Sequence, residues 1–146
     1  MFSFFVANFD KIAICMLPNI PTHLSDLPIY RKALDIFVLS RSISSYLNQD
    51  LAVLQPDGSE DNDIYFSGDI VQQSVSLVPE IVNAELERHS EKKHTHVATL
   101  QRLTNLLYKN SYRLEKSNSN GKDYLPILRR ELKKFKRLQH AWSLTL

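Results

Sequence analysis

The stretch YLPILRRELKKFKRLQHAW, Tyr124 to Trp142, decides the fold. Leu125, Leu128, Leu132, Phe135 and Trp142 follow a four-three spacing, with Gln139 interrupting it. That spacing draws one apolar stripe along a helix, and a stripe of this kind has to be buried against another element. Arg129, Arg130, Lys133, Lys134, Lys136 and Arg137 flank the stripe on both sides. The pattern predicts a helix from about Tyr124 to the end, apolar on one face and strongly basic elsewhere.

Three further helices are predicted upstream. SNSNGKD, Ser117 to Asp123, breaks the chain before Tyr124, and Gly121 is suited to a positive-φ position there. A third helix is expected from Glu91 to about Lys116, with Ser90 as N-cap. Val97, Leu100, Leu103, Leu107 and Leu114 face its core side, with Leu106 beside them. A second helix is expected from about Ser67 to Arg88. It carries two apolar stripes, Val71, Val75, Val78, Val82 and Ile70, Leu77, Ile81, Ala84. Pro79 falls inside it and predicts a kink. A first helix is expected from Pro28 to Leu47, capped by Asp26 or Ser25. Its seam is Ile29, Ala33, Ile36, Ser40, Ile43 and Leu47, widened by Tyr30 and Phe37. Asn48 to Asn62 reads as a polar loop with an Asp57-Gly58 turn.

Four long helices with short or polar connections make an all-α, up-down-up-down four-helix bundle the economical fold. The apolar face of the second helix is wider than one partner in a small bundle needs. Ile70, Leu77, Val78 and Ile81 are therefore expected to meet another copy of the chain.

Composition supports this class and excludes others. Three glycines and six prolines in 146 residues leave little room for the turns of an all-β fold. One cysteine, Cys15, excludes an intramolecular disulfide and a cysteine-based zinc site. No run of about 18 apolar residues occurs, so no membrane span is expected and the protein reads as cytoplasmic. The opening MFSFFVANFDKIAIC has no basic residue before its short apolar run, unlike a secretory signal. Met16 is the expected translation start. Residues 1–15 then form a non-native or disordered extension, and 16–146 form one domain.

Net charge is +2, but it is sorted along the chain. Residues 1–41 carry +1, residues 42–87 carry −9, and residues 88–146 carry +10. Two readings follow. Acidic and basic helices lie side by side and neutralise each other, or a basic surface is left for phosphates.

Catalytic and metal chemistry finds little support. In HSEKKHTH, residues 89–96, His94 and His96 point to different sides of a helix. Glu91 and His94 match the i, i+3 pair of di-iron bundles, but such sites need two pairs and two more carboxylates. No phosphate-binding glycine loop and no nucleophile elbow occurs. No enzyme activity, cofactor or metal is expected. The basic helix is the informative feature, because fixed positive charge at this density is what phosphate neutralisation requires.

The residues also resemble a known family. LPIYRKALDIF (Leu27 to Phe37), SVSLVPEIVNAE (Ser74 to Glu85) and the Tyr124–Trp142 stretch are similar to helices of small four-helix-bundle proteins. These are the accessory variability determinant (Avd) proteins of diversity-generating retroelements and their relatives, the 23S rRNA intervening-sequence proteins. Tyr124, Arg137, Leu138 and Trp142 occupy places similar to the family's last-helix pattern, while His140-Ala141 replace its paired glycines. The resemblance implies a barrel-like homopentamer whose basic surface binds a reverse transcriptase and RNA or DNA. It implies a non-catalytic role, with the chemistry belonging to the polymerase. The alternative is a structural or interaction bundle like the intervening-sequence proteins, with no nucleic-acid role.

Overall fold

The computed structural model describes residues 21–51, 56–59, 63–117 and 120–146, and every regular element among them is helical. Residues 1–15, with Cys15, and Met16 lie outside the described residues. A single helical turn, Thr22–Ser25, leads into α1, Pro28–Leu51. Then come α2, Asp63–Val75, α3, Leu77–Leu86, and α4, Ser90–Leu114. A 3-10 turn, Asn120–Tyr124, precedes α5, Leu125–Ser143.

Pro28 opens α1, where its missing N–H removes no helical bond. The side chains expected to cap α1 are engaged elsewhere. Ser25 Oγ donates to the Thr22 carbonyl at 2.7 Å, and Asp26 accepts from Arg31 at 3.1 Å. All six seam residues of α1 are buried. The helix runs one turn past Leu47, because Leu51 prolongs the seam and is buried too.

The expected second helix is two helices. α2 begins a turn early at Asp63, whose carboxylate suits the positive end of a helix. The helix is interrupted at Ser76. Pro79 accounts for this: it has no N–H for the Val75 carbonyl, and its ring crowds that carbonyl. As the third residue of α3 it stands where an N–H would lack a helical partner anyway. Ser76 stays in the right-handed region, φ −81° and ψ −11°, and its Oγ donates to the Gln72 carbonyl at 2.9 Å.

α4 starts at Ser90, so Ser90 is its first residue and extended His89 holds the cap position. Glu87 Oε1 accepts from the Arg88 and His89 N–H groups at 3.1 and 3.2 Å, which holds its carboxyl below the usual range. Gly121 lies within the 3-10 turn and not at a positive-φ cap. The positive φ, +84°, belongs to Gly58 in the expected Asp57-Gly58 turn, where Ser59 N–H donates to Asp57 Oδ1 at 3.0 Å.

α1 packs against α2 and α5, and α4 packs against α2, α3 and α5. Their shared core includes Leu100, Leu107, Leu114, Leu128, Leu132 and Phe135, all fully buried. Leu103 is half-buried, and Leu106 lies on the surface. Polar contacts pin the register. The Ser44 and Ser67 hydroxyls are 2.8 Å apart in the α1–α2 seam, and Ser67 Oγ donates to Asn48 Oδ1 at 3.0 Å. Gln139 breaks the apolar stripe of α5 yet is buried, with Thr104 Oγ1 3.3 Å from its Oε1. Tyr46 of α1 stacks on Tyr124 beside the start of α5, ring centroids 5.5 Å apart. No described helix is long and apolar enough to cross a membrane.

Candidate nucleic-acid interface

α5 divides its charged residues between three directions. Toward α1, Glu131 Oε2 accepts from Lys32 Nζ at 2.8 Å, and Glu131 Oε1 accepts from Lys134 Nζ at 3.3 Å. Burial raises the Glu131 carboxyl, but the two lysines outweigh it and hold the group below its ordinary value. Toward α4, half-buried Arg129 donates to Glu115, which raises the guanidinium further above its already high value. Outward, Arg130, Lys133 and Arg137 are exposed. Lys136 is exposed as well, with its Nζ over the Tyr108 ring, 5.0 Å from the centroid.

Four of the six basic residues singled out on this helix, Arg130, Lys133, Lys136 and Arg137, have no ion-pair partner among the described residues. Two acids of the block 42–87 are bonded elsewhere. Its Glu80 carboxylate lies 2.7 Å from His96 Nδ1, and its Glu85 accepts from Trp142 Nε1 at 2.7 Å. The reason is position: α5 packs chiefly on α1 and α4, not on the acidic α2 and α3. Its neighbour α4 adds exposed Arg102 and Lys109, and exposed Lys116 follows in the turn after it. The acids of these two helices and of the residue capping α4 are Glu91, Glu131 and Glu115; Glu115 is paired with Arg129, and Glu131 with Lys32 and Lys134.

Two tyrosines that the sequence pattern did not single out belong to the same face. Tyr108 and Tyr112 stand four residues apart on α4, hence one above the other. Tyr112 is 54% exposed. Its ring has Lys116 Nζ at 4.9 Å and the Arg129 guanidinium carbon at 5.5 Å from the centroid. The α4–α5 seam thus interleaves aromatic rings and cations. The available signal was their offset from the Leu100, Leu107 and Leu114 stripe. It told that they sit off the fully buried stripe, but not which α5 residues they meet.

The other expected site lies inside the protomer. Ile70, Leu77, Val78 and Ile81 are 0, 0, 5 and 0% exposed within the protomer. The wide apolar face is taken up by α1 and α4, between which α2 and α3 are wedged. These four side chains leave no free surface for a second copy.

Around HSEKKHTH, His89, Glu91 and His94 are exposed, and His96 turns to Glu80. Among the described residues no group of three or more His, Cys, Asp or Glu side chains is placed to hold a metal. Comparison of the chain with protein-family models, curated proteins and solved structures gives no match.

Proposed function

We propose that this chain is a non-catalytic nucleic-acid-binding protein, and that it serves a reverse transcriptase of a diversity-generating retroelement as an accessory subunit in the cytoplasm. The observation that carries the nucleic-acid part is the unneutralised set Arg130, Lys133, Lys136 and Arg137 on one exposed face of α5. Fixed cations lower in free energy when they replace counterions along a phosphate backbone. The resemblance in Leu27–Phe37, Ser74–Glu85 and Tyr124–Trp142 supports the retroelement part and the homopentamer, whose contacts would lie outside Ile70, Leu77, Val78 and Ile81.

In this reading the helical rods alternate in direction as an up-down-up-down four-helix bundle, α2 and α3 counting as one rod. Contacts between the end of one rod and the start of another support it: Ser44 with Ser67, His96 with Glu80, Glu115 with Arg129, Tyr46 with Tyr124. The second reading, a structural bundle without nucleic acid, draws support from the pairing of Arg129 with Glu115 and of Lys134 with Glu131.

Salt dependence separates the two. Four phosphate contacts per protomer give a slope of log K against log[salt] of about −3. A flat dependence leaves the structural reading. A reverse-transcriptase gene and paired near-identical repeats beside this gene would support the accessory role, and their absence would count against it.

A further inference from the structure

Tyr112 and Tyr108 give the basic face a property that charge alone does not. A duplex presents its phosphates outward and hides the faces of its bases. A single strand exposes both, and proteins that hold single strands combine a cationic track with rings on which bases stack. The α4–α5 seam has this composition. Tyr112 is more than half exposed, Arg129 and Lys116 lie against its ring, and Lys136 lies over Tyr108 one turn away. Lys133 stands one turn from both Arg129 and Lys136 on the same helix, so the cations run alongside the two rings.

We propose that this seam binds single-stranded nucleic acid, with a base stacked on Tyr112 and neighbouring phosphates held by Lys133, Lys136 and Arg137. The inference rests on the nucleic-acid reading above and narrows it to one strand form. Lys116 now covers part of the Tyr112 ring. Its side chain is exposed and flexible, and an exposed cation–π contact is weaker than a base stack, so a base displaces it. The freed ammonium then stands beside the incoming phosphate. Arg129 stays in place because Glu115 holds it, and its planar guanidinium fixes one side of the ring. Charge complementarity selects a polyanion over an acidic-free peptide or a neutral ligand. Glu80 and Glu85 of α3 are bonded to His96 and Trp142 and not to the cations of the seam, which keeps that complementarity intact.

The test is fluorescence anisotropy with labelled 20-nucleotide oligo(dT), oligo(U) and a 20-base-pair DNA duplex. The proteins are the full chain, Tyr112→Ala, Tyr112→Phe and the double variant Lys133→Glu with Arg137→Glu. Wild type should bind the two single strands more tightly than the duplex. Tyr112→Ala should lose about 10- to 100-fold in affinity for single strands, Tyr112→Phe should keep it, and neither should change duplex binding. Because Tyr112 is exposed, helical content by circular dichroism should match wild type. Unchanged single-strand affinity in a folded Tyr112→Ala, or equal loss on duplex and single strands, would overturn the stacking proposal alone. Unchanged binding by the charge-reversed variant would instead overturn the nucleic-acid reading beneath it. Comparing oligo(dT) with oligo(U) identifies which strand chemistry is preferred.

Discussion

Lys32 Nζ donates to Glu131 Oε2 at 2.8 Å, joining the first turns of α1 to the middle of the basic helix. The pair balances charge on the α1 side of α5, while the outward face keeps Arg130, Lys133, Lys136 and Arg137 without ion pairs among the described residues. It also sets a pH dependence. The folded-state Glu131 carboxyl lies below the unfolded value of 4.5, so the unfolded chain binds the proton more readily. The contribution is complete above that value and is lost as pH falls through the folded one. Glu131→Gln should lower stability near pH 7 by about 0.2–1 kcal/mol and should flatten the acid limb of the curve. Urea denaturation of both proteins from pH 7 down to pH 3 checks this.

Ile81→Asp should unfold the protomer, not dissociate an assembly. Ile81 is fully buried between helices, and an unpartnered carboxylate there costs several kcal/mol. Loss of the helical circular dichroism signal is the expected outcome. A folded variant of altered mass would mean that this side chain faces another copy.

Trp142→Phe should lower stability by about 1–3 kcal/mol. The buried ring keeps most of its packing, but Glu85 loses a 2.7 Å hydrogen bond from the indole N–H. Glu85→Gln on the Phe background should restore part of the loss, since a neutral amide is easier to leave without its charged bond. Thermal unfolding of the three proteins measures both effects.

Ser67→Ala should remove the Ser44 hydroxyl's partner in the α1–α2 seam, costing about 1–2 kcal/mol, and Ser44→Ala should cost less because Ser67 Oγ keeps its bond to Asn48 Oδ1. The double variant should cost less than the two together, with a coupling of at least about 0.5 kcal/mol. Additive losses would mean that the pair is held by packing alone.

Much of the bundle is legible in the residues. The α1 seam from Ile29 to Leu47 alternates threes and fours, and burial follows that spacing through every position, Ser40 included. Where the reading departs, polarity outvoted periodicity. Gln49 and Asp50 suggested that the helix had ended, yet Leu51 stands one turn beyond Leu47 and remains in the core. Pro79 was visible, but a helix can bend at a proline or restart just before it. Ser76, bonded back to Gln72, marks the restart. The cations of α5 were equally visible, since charge is written in the sequence. Their division between paired and unpaired was not, because it depends on which helices lie beside α5. The same is true of Tyr112, whose neighbours on α5 come from helix pairing and not from its own helix.

Reversing Lys133 and Arg137 to glutamate tests the basic face most directly. Both side chains are exposed and neither forms an ion pair among the described residues, so helical content and mass should stay unchanged. The measurement is anisotropy of a labelled single strand with wild type and variant at two salt concentrations. Wild-type affinity should fall steeply with salt, and the variant should not bind at either concentration. Equal affinity of the two proteins, or a wild-type affinity indifferent to salt, would make this helix a solvated face with no role in binding.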